Sequence, residues 1–208
     1  MLWYVVTRCR QVPELAQTLA VATTEREVDH PIVQFCQEHG LLVYRGATND
    51  VAGRLLAAAQ QYDFDWFFRL NGDSPFVEPS LLGEAWRIAA AGRPPLDFVT
   101  NLLPRSYPYG VSVELLRTEA FAAARREMSE PAHLEHVTLF LYSHLERFRY
   151  YNLLRVDGDV SGVRLTIDTG EDLERFDSAL GLLGERWAEA SYTEAMTLYR
   201  NPDFRGRS

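Results

Sequence analysis

A chain of 208 residues, 47% hydrophobic and 24% charged, has the composition of an ordinary globular protein with ample core, and one domain over 1–208 is expected. Its formal net charge of -8 argues against a nucleic-acid duplex or an anionic membrane surface as partner, because like charges repel. No lysine occurs, so a Schiff-base lysine or a P-loop lysine is excluded, and phosphate contacts must come from arginine, backbone N–H groups or a metal. Cys9 and Cys36 have no metal-ligand or redox spacing and read as small buried hydrophobes. No run reaches transmembrane length, and Met1 to Val6 is too short and too neutral for a secretion signal, so a cytoplasmic location is expected.

The predicted elements alternate. Leu2 to Arg10 carries Leu2, Val5, Val6 and Cys9 at helical spacing, with Pro13 closing the segment. Thr18 to Ala22 reads as a short strand, His30 to His39 as an amphipathic helix with Pro31 in its first turn and Gly40 as its stop. Leu41 to Tyr44 is the next strand; Asp50 caps a helix through Tyr62. The apolar run Trp66-Phe67-Phe68 suits a strand covered on both faces, and it leads into the polar loop Asn71-Gly72-Asp73-Ser74-Pro75. A helix from Pro79 to Ala91 and a strand from Leu96 to Thr100 follow. Farther on, Val111 to Leu116 alternates like a strand, Thr118 to Met128 and Leu134 to Leu145 read as helices, and Arg149–Val156 with Val163–Ile167 reads as a hairpin turning at Asp157-Gly158-Asp159. Such alternation predicts an α/β architecture with a parallel sheet and helices on both faces.

Two aspartates follow strands. Asp73 lies at the carboxyl end of one, the edge where open α/β sheets bind ligands. It either caps a turn or holds Mg²⁺, a cation that takes one or two protein carboxylates and keeps several waters. Asp168 occupies the equivalent place after Val163 to Ile167, before a helix that Thr169 and Asp172 are able to cap. Glu114, after the turn Pro108-Tyr109-Gly110, is either a sugar ligand or part of a surface hairpin. His136 either touches a ligand or packs as an ordinary core histidine. Arg45 and Arg69, each at a strand end, either meet phosphate or are merely solvated or salt-bridged.

The ordered strings Arg69-Leu70-Asn71-Gly72-Asp73-Ser74-Pro75, Tyr107-Pro108-Tyr109-Gly110-Val111-Ser112-Val113-Glu114, Glu135-His136-Val137-Thr138 and Arg164-Leu165-Thr166-Ile167-Asp168-Thr169-Gly170-Glu171-Asp172-Leu173 carry a resemblance over nearly the whole chain. The sequence resembles the cytidylyltransferase family of acidic sugars, nearest its spore coat polysaccharide biosynthesis protein F branch. The 3-deoxy-manno-octulosonate and acylneuraminate cytidylyltransferases are related. Arg45-Gly46 before Asn49-Asp50-Val51 also matches that branch.

The resemblance implies a three-layer, Rossmann-like nucleotide-diphospho-sugar transferase fold with a mostly parallel sheet. It implies Mg²⁺-dependent transfer of CMP from CTP to an acidic sugar, with pyrophosphate released. Asp73 and Asp168 would hold Mg²⁺; Arg69, Asn71 and Arg45 would contact the nucleotide; Glu114, His136 and Tyr109 would face the sugar. Relatives are often homodimers.

This chain departs from the family's pattern in two places. The usual first strand and its Gly/Arg/Lys-rich nucleotide loop have no counterpart, and Leu2 to Arg10 matches the helix that follows them; the other reading makes Leu2 to Val6 the strand, with a shrunken loop. Loss of that strand is expected to leave neighbouring strands unpaired or force them together, at about 1–3 kcal/mol per stranded buried backbone group. Ser112 stands where relatives commonly carry an acidic residue. Two functions therefore stay open: a shortened cytidylyltransferase, or a catalytically impaired relative that binds a sugar or nucleotide beside a complete enzyme. A metal-dependent glycosyltransferase is a third reading, disfavoured by the Asp168 motif.

Overall fold

The computed structural model describes residues 1–92 and 94–200. The first element is a helix, α1 (Leu2–Cys9), as its periodicity predicts, with Val5, Val6 and Cys9 buried. β1 (Ala20–Thr24) and β2 (Leu42–Gly46) pair in parallel, Ala20 opposite Leu42 and Thr24 opposite Gly46. A parallel pair needs a crossover, supplied here by α2 (His30–Glu38), after which Gly40 turns at φ +63°. Asp50 caps α3 (Val51–Gln61), its carboxylate accepting from Gly53 N at 2.8 Å.

The remaining strands build a second, four-stranded sheet in the order β3-β5-β4-β6. These are β3 (Trp66–Phe68), β4 (Phe98–Thr100), β5 (Glu114–Arg117) and β6 (Tyr150–Asn152). β6 runs parallel to β4, but β5 runs antiparallel to both its neighbours, so this sheet is mixed. The helices between and after them are α4 (Pro79–Ala91), α5 (Thr118–Arg125), α6 (Pro131–Glu135), α7 (Leu139–Ser143), α8 (Gly170–Leu183) and α9 (Tyr192–Arg200). None of the described helices is long and apolar enough to cross a membrane.

Strand alternation makes the layers. Val99 and Leu115 point into a core with Val5, Leu82, Phe176 and Ala195, from α1, α4, α8 and α9. Their neighbours Phe98 and Leu116 point the other way, to Ala59, Phe121 and Phe140 of α3, α5 and α7. A smaller cluster of Val6, Cys36 and Leu41 packs with Val21 and Val43 of the two-stranded sheet. Both cysteines are buried free thiols, and burial pushes the Cys9 thiol up to about 12.

Two expectations need correction. The Leu134 to Leu145 helix is broken at His136, where φ -95° and ψ 75° leave the helical region; the break buries Val137 and Thr138 against the sheet. The hairpin does not form. Tyr150–Asn152 pairs with β4 instead, while 163–167 runs irregularly beside Tyr109, with Tyr109 N donating to Val163 O at 2.9 Å and Leu165 N to Tyr109 O at 2.8 Å. Its alternating pattern reflects Leu165, which is fully buried, rather than a paired strand. Among the described residues β1 pairs with β2 alone and β3 with β5 alone, so the strands divide into two sheets.

One buried cation ties the two ends of the chain together. Arg8, 1% exposed, donates through Nε to Val77 O at 2.7 Å and through Nη1 to Ala188 O at 2.9 Å and Ala190 O at 2.8 Å. It thereby satisfies carbonyls behind α4's entry loop and at the turn before α9. Arg8→Met keeps much of the volume but strands those carbonyls, so a loss of about 3 kcal/mol is expected. A urea titration reads it as a lower midpoint at unchanged slope; an unmoved midpoint would refute the role.

Candidate active site

The ends of β3, β5 and the 163–167 segment meet at one edge. After Phe68 the chain stays beside β5 for one more residue, Arg69 N donating to Glu114 O at 2.8 Å. It then turns through Asn71 to Ser74, where Ser74 N donates to Asn71 O at 3.3 Å. Arg69, Asn71, Ser74, Gly110 and Ser112 line a shallow cleft there. Gly110 is required by the close approach: at φ +93°, a Cβ would lie 2.9 Å from the carbonyl carbon of Leu165.

The two aspartate-bearing loops are joined through the backbone. Ile167 N donates to Asp73 O at 2.9 Å, which sets Asp168, one residue on, beside the Asp73 loop. Asp73 Oδ1 accepts from Ser74 Oγ at 2.9 Å, and Asp168 Oδ2 accepts from Thr166 Oγ1 at 2.7 Å and Arg164 Nη1 at 2.9 Å. Helix capping is done by others: Thr169 and Asp172 form a reciprocal capping box for α8. Among the described residues, Asp73 Oδ2 and Asp168 Oδ1 accept no hydrogen bond from protein. No group of three or more His, Cys, Asp or Glu gathers among the described residues, so a cation here would lean on two carboxylates and on water or ligand oxygens. That donor set fits Mg²⁺.

Glu114 does not face an open sugar pocket. It is 1% exposed and accepts from Arg69 Nη1 at 2.8 Å, Thr138 Oγ1 at 2.5 Å and Tyr142 OH at 2.8 Å. Tyr142 OH also lies 3.1 Å from Thr100 Oγ1. Burial, and then the neighbouring Glu114, push the Tyr142 phenol well above its ordinary value, so it stays a donor. Arg45 is likewise committed, its Nε donating to Thr24 O and its Nη2 to Arg26 O, both at 3.0 Å. His136 is exposed at the end of α6, two residues before Thr138. Tyr109 is half-exposed at the cleft's rim and carries two guanidiniums over its ring, Arg105 at 4.2 Å and Arg164 at 4.9 Å from the centroid. Arg105, Thr138 and Tyr142 are residues the sequence reading passed over; Thr138 stood inside a quoted motif, whereas the Pro104-Arg105-Ser106 loop carries no local signal.

The layered α/β fold is that of the nucleotide-diphospho-sugar transferases, and solved structures of that fold superpose on it. A cytidylyltransferase from Leptospira borgpetersenii serovar Hardjo-bovis matches all of this chain and 86% of its own, at 25% identity and a TM-score of 0.90. The CMP:2-keto-3-deoxy-manno-octonic acid synthetase complexed with CTP covers 87% of each chain at 17% identity and a TM-score of 0.59, a likeness of fold. Within that class the chain belongs to the cytidylyltransferase family, whose model matches residues 1–201. It is also 30% identical over 188 residues to the spore coat polysaccharide biosynthesis protein SpsF of Bacillus subtilis (strain 168), spanning 89% of this chain and 76% of that protein.

Glu114→Ala leaves Arg69, Thr138 and Tyr142 without their shared acceptor and is expected to lower stability by about 3 kcal/mol. Tyr142→Phe, which removes one donor, is expected to lose about 1 kcal/mol. Denaturant unfolding of both separates the roles: a Glu114→Ala protein as stable as its parent would return Glu114 to the list of ligand-facing residues.

Proposed function

We propose that this chain is a Mg²⁺-dependent cytidylyltransferase that joins CMP, from CTP, to an acidic sugar for surface polysaccharide or glycan biosynthesis. The observation that carries the reading is the Ile167 N to Asp73 O bond, which clamps both aspartate loops together while each carboxylate keeps a free oxygen. The naming of SpsF as a spore coat polysaccharide biosynthesis protein supports the polysaccharide context, and the octonic acid synthetase in complex with CTP supports the nucleotide and the acidic acceptor.

In this reading a sugar oxygen attacks the α-phosphorus of CTP. A new P–O bond forms, the bond to the β-phosphate oxygen breaks, pyrophosphate leaves with the bonding pair, and the hydroxyl proton passes to water. Asp73 Oδ2 and Asp168 Oδ1 would hold Mg²⁺, which neutralises phosphate charge when bound. Arg69, fixed by Glu114, and Asn71 line the cleft on the nucleotide side. The chain's own work is to hold the reactants in line and offset charge; such a transfer needs positioning more than a strong base. A binding-only role is the second reading, and one observation favours it: Arg45 spends Nε and Nη2 on the Thr24 and Arg26 carbonyls, which leaves fewer of its N–H groups for phosphate.

Titration calorimetry with Mg-CTP is expected to show binding that weakens at least tenfold in Asp73→Asn. Equal affinity in that variant would make Asp73 a turn residue and sink the metal assignment. Pyrophosphate release with a panel of acidic sugars then separates the readings, since a binding partner takes Mg-CTP without releasing pyrophosphate.

A further inference from the structure

The cleft and its rim carry three arginines, Arg69, Arg105 and Arg164, against three carboxylates, Asp73, Glu114 and Asp168. The set has no net charge. Glu114 holds Arg69 at 2.8 Å, and Asp168 holds Arg164 at 2.9 Å. A divalent cation entering a neutral site leaves both of its charges uncompensated. A nucleotide triphosphate brings the missing negative charge with it.

Exposed ion pairs are ordinarily loose. Arg164 and Asp168 are both about half exposed, yet this arginine is fixed along its whole length. Tyr109 N donates to Val163 O at 2.9 Å and Leu165 N to Tyr109 O at 2.8 Å, so the backbone is held on both sides of residue 164. The guanidinium lies 4.9 Å from the Tyr109 ring centroid. Its Nη1 donates to Thr166 Oγ1 at 3.1 Å as well as to Asp168 Oδ2 at 2.9 Å. Thr166 Oγ1 in turn donates to the same Oδ2 at 2.7 Å. The two holds on Asp168 therefore do different work. Thr166 orients the carboxylate without touching its charge, and Arg164 cancels the charge. Without Arg164, orientation stays with Thr166 and a full negative charge returns to Asp168. The charge term decides the sign: a unit charge beside a divalent ion is worth about tenfold in affinity even in water. One exposed orienting contact is worth only about twofold.

We infer that Arg164 is a built-in counter-ion that keeps Asp168 from holding a free divalent cation, so that metal is taken up together with the phosphates of the nucleotide. This inference rests on the metal position proposed above. Arg164 acts through Asp168 and is a positioning residue, not a ligand. Its cation serves both states. It opposes the bare metal, and once phosphates are bound it adds to the positive charge that offsets them.

The test compares the parent chain with Arg164→Gln, Arg164→Lys and the double variant Arg164→Gln with Asp168→Asn, each with melting temperature measured to establish folding. Binding of Mn²⁺ alone, an oxygen-seeking ion like Mg²⁺, is read from the paramagnetic resonance signal of the free hydrated ion. Binding of Mg-CTP is read by calorimetry. Arg164→Gln is expected to hold Mn²⁺ about tenfold more tightly than the parent at low salt. The gain is expected to shrink to about threefold or less near 0.5 M salt, because screening removes the charge term. Arg164→Lys keeps the charge and is expected to stay within about threefold of the parent, and the double variant to lose the gain. Mg-CTP affinity is expected not to rise in Arg164→Gln, since the lost cation faced phosphate as well as metal. Mn²⁺ binding in Arg164→Gln no tighter than in the parent would overturn the inference. So would a gain shared by Arg164→Lys, or an equal gain for Mn²⁺ and Mg-CTP. Those results leave the cytidylyltransferase reading standing wherever the parent takes Mg-CTP. A parent and an Arg164→Gln protein that bind neither Mn²⁺ nor Mg-CTP would instead bring down that reading itself.

Discussion

The buried carboxylate of Glu114 is the constraint around which the site is arranged. A carboxylate with 1% exposure survives only if its charge and lone pairs are met inside the protein. Arg69 meets the charge; Thr138 and Tyr142 meet the remaining lone pairs. Each partner comes from a different part of the chain, so one side chain pins the end of β3, the break between α6 and α7, and β4 by way of Thr100. The interrupted helix follows from this. A continuous helix through His136 would carry Thr138 on a regular spiral, whereas the break lets its hydroxyl drop onto Glu114. The same ion pair orients Arg69, whose remaining donors border the cleft.

Charge balance is what separates the members of the site. Glu114 with Arg69, and Asp168 with Arg164, are pairs that cancel internally. Among the described residues, by contrast, Asp73 has a hydroxyl for one oxygen and no protein partner for the other, and Arg105 has an aromatic face, a carbonyl and a serine but no ion-paired carboxylate. The backbone closes the site's edge tightly, as Gly110 shows by packing its α-carbon against the Leu165 carbonyl, where no side chain fits.

Much of this was legible in the residues. α1 followed from the spacing of Val5, Val6 and Cys9, the caps from Asp50 and from Thr169 with Asp172, and the aspartate loops from apolar runs ending at polar turns. Arg45 and Glu114 were named as ligand contacts, yet the structure engages Arg45 with carbonyls and Glu114 with three donors. The type of residue was informative and its partner was not. A hairpin between 149–156 and 163–167 failed for a related reason: alternation reports burial, and Leu165 is buried without being in a ladder.

The sequence by itself determined the α/β class, the positions of the caps and turns, and the order of motifs that marks the family. Those properties depend on neighbours within a turn or two of chain, where periodicity, capping and glycine or proline punctuation act directly. Tertiary structure alone decided that β5 opposes both its neighbours, that the strands divide into two sheets, and which charges are spent. The partners of Glu114 lie 45, 24 and 28 residues away, and no local pattern encodes such distances. Asp73 shows both halves of this. Its place at the end of a strand was visible from the chain, but its loop lies beside Asp168 only because Ile167 folds back onto its carbonyl.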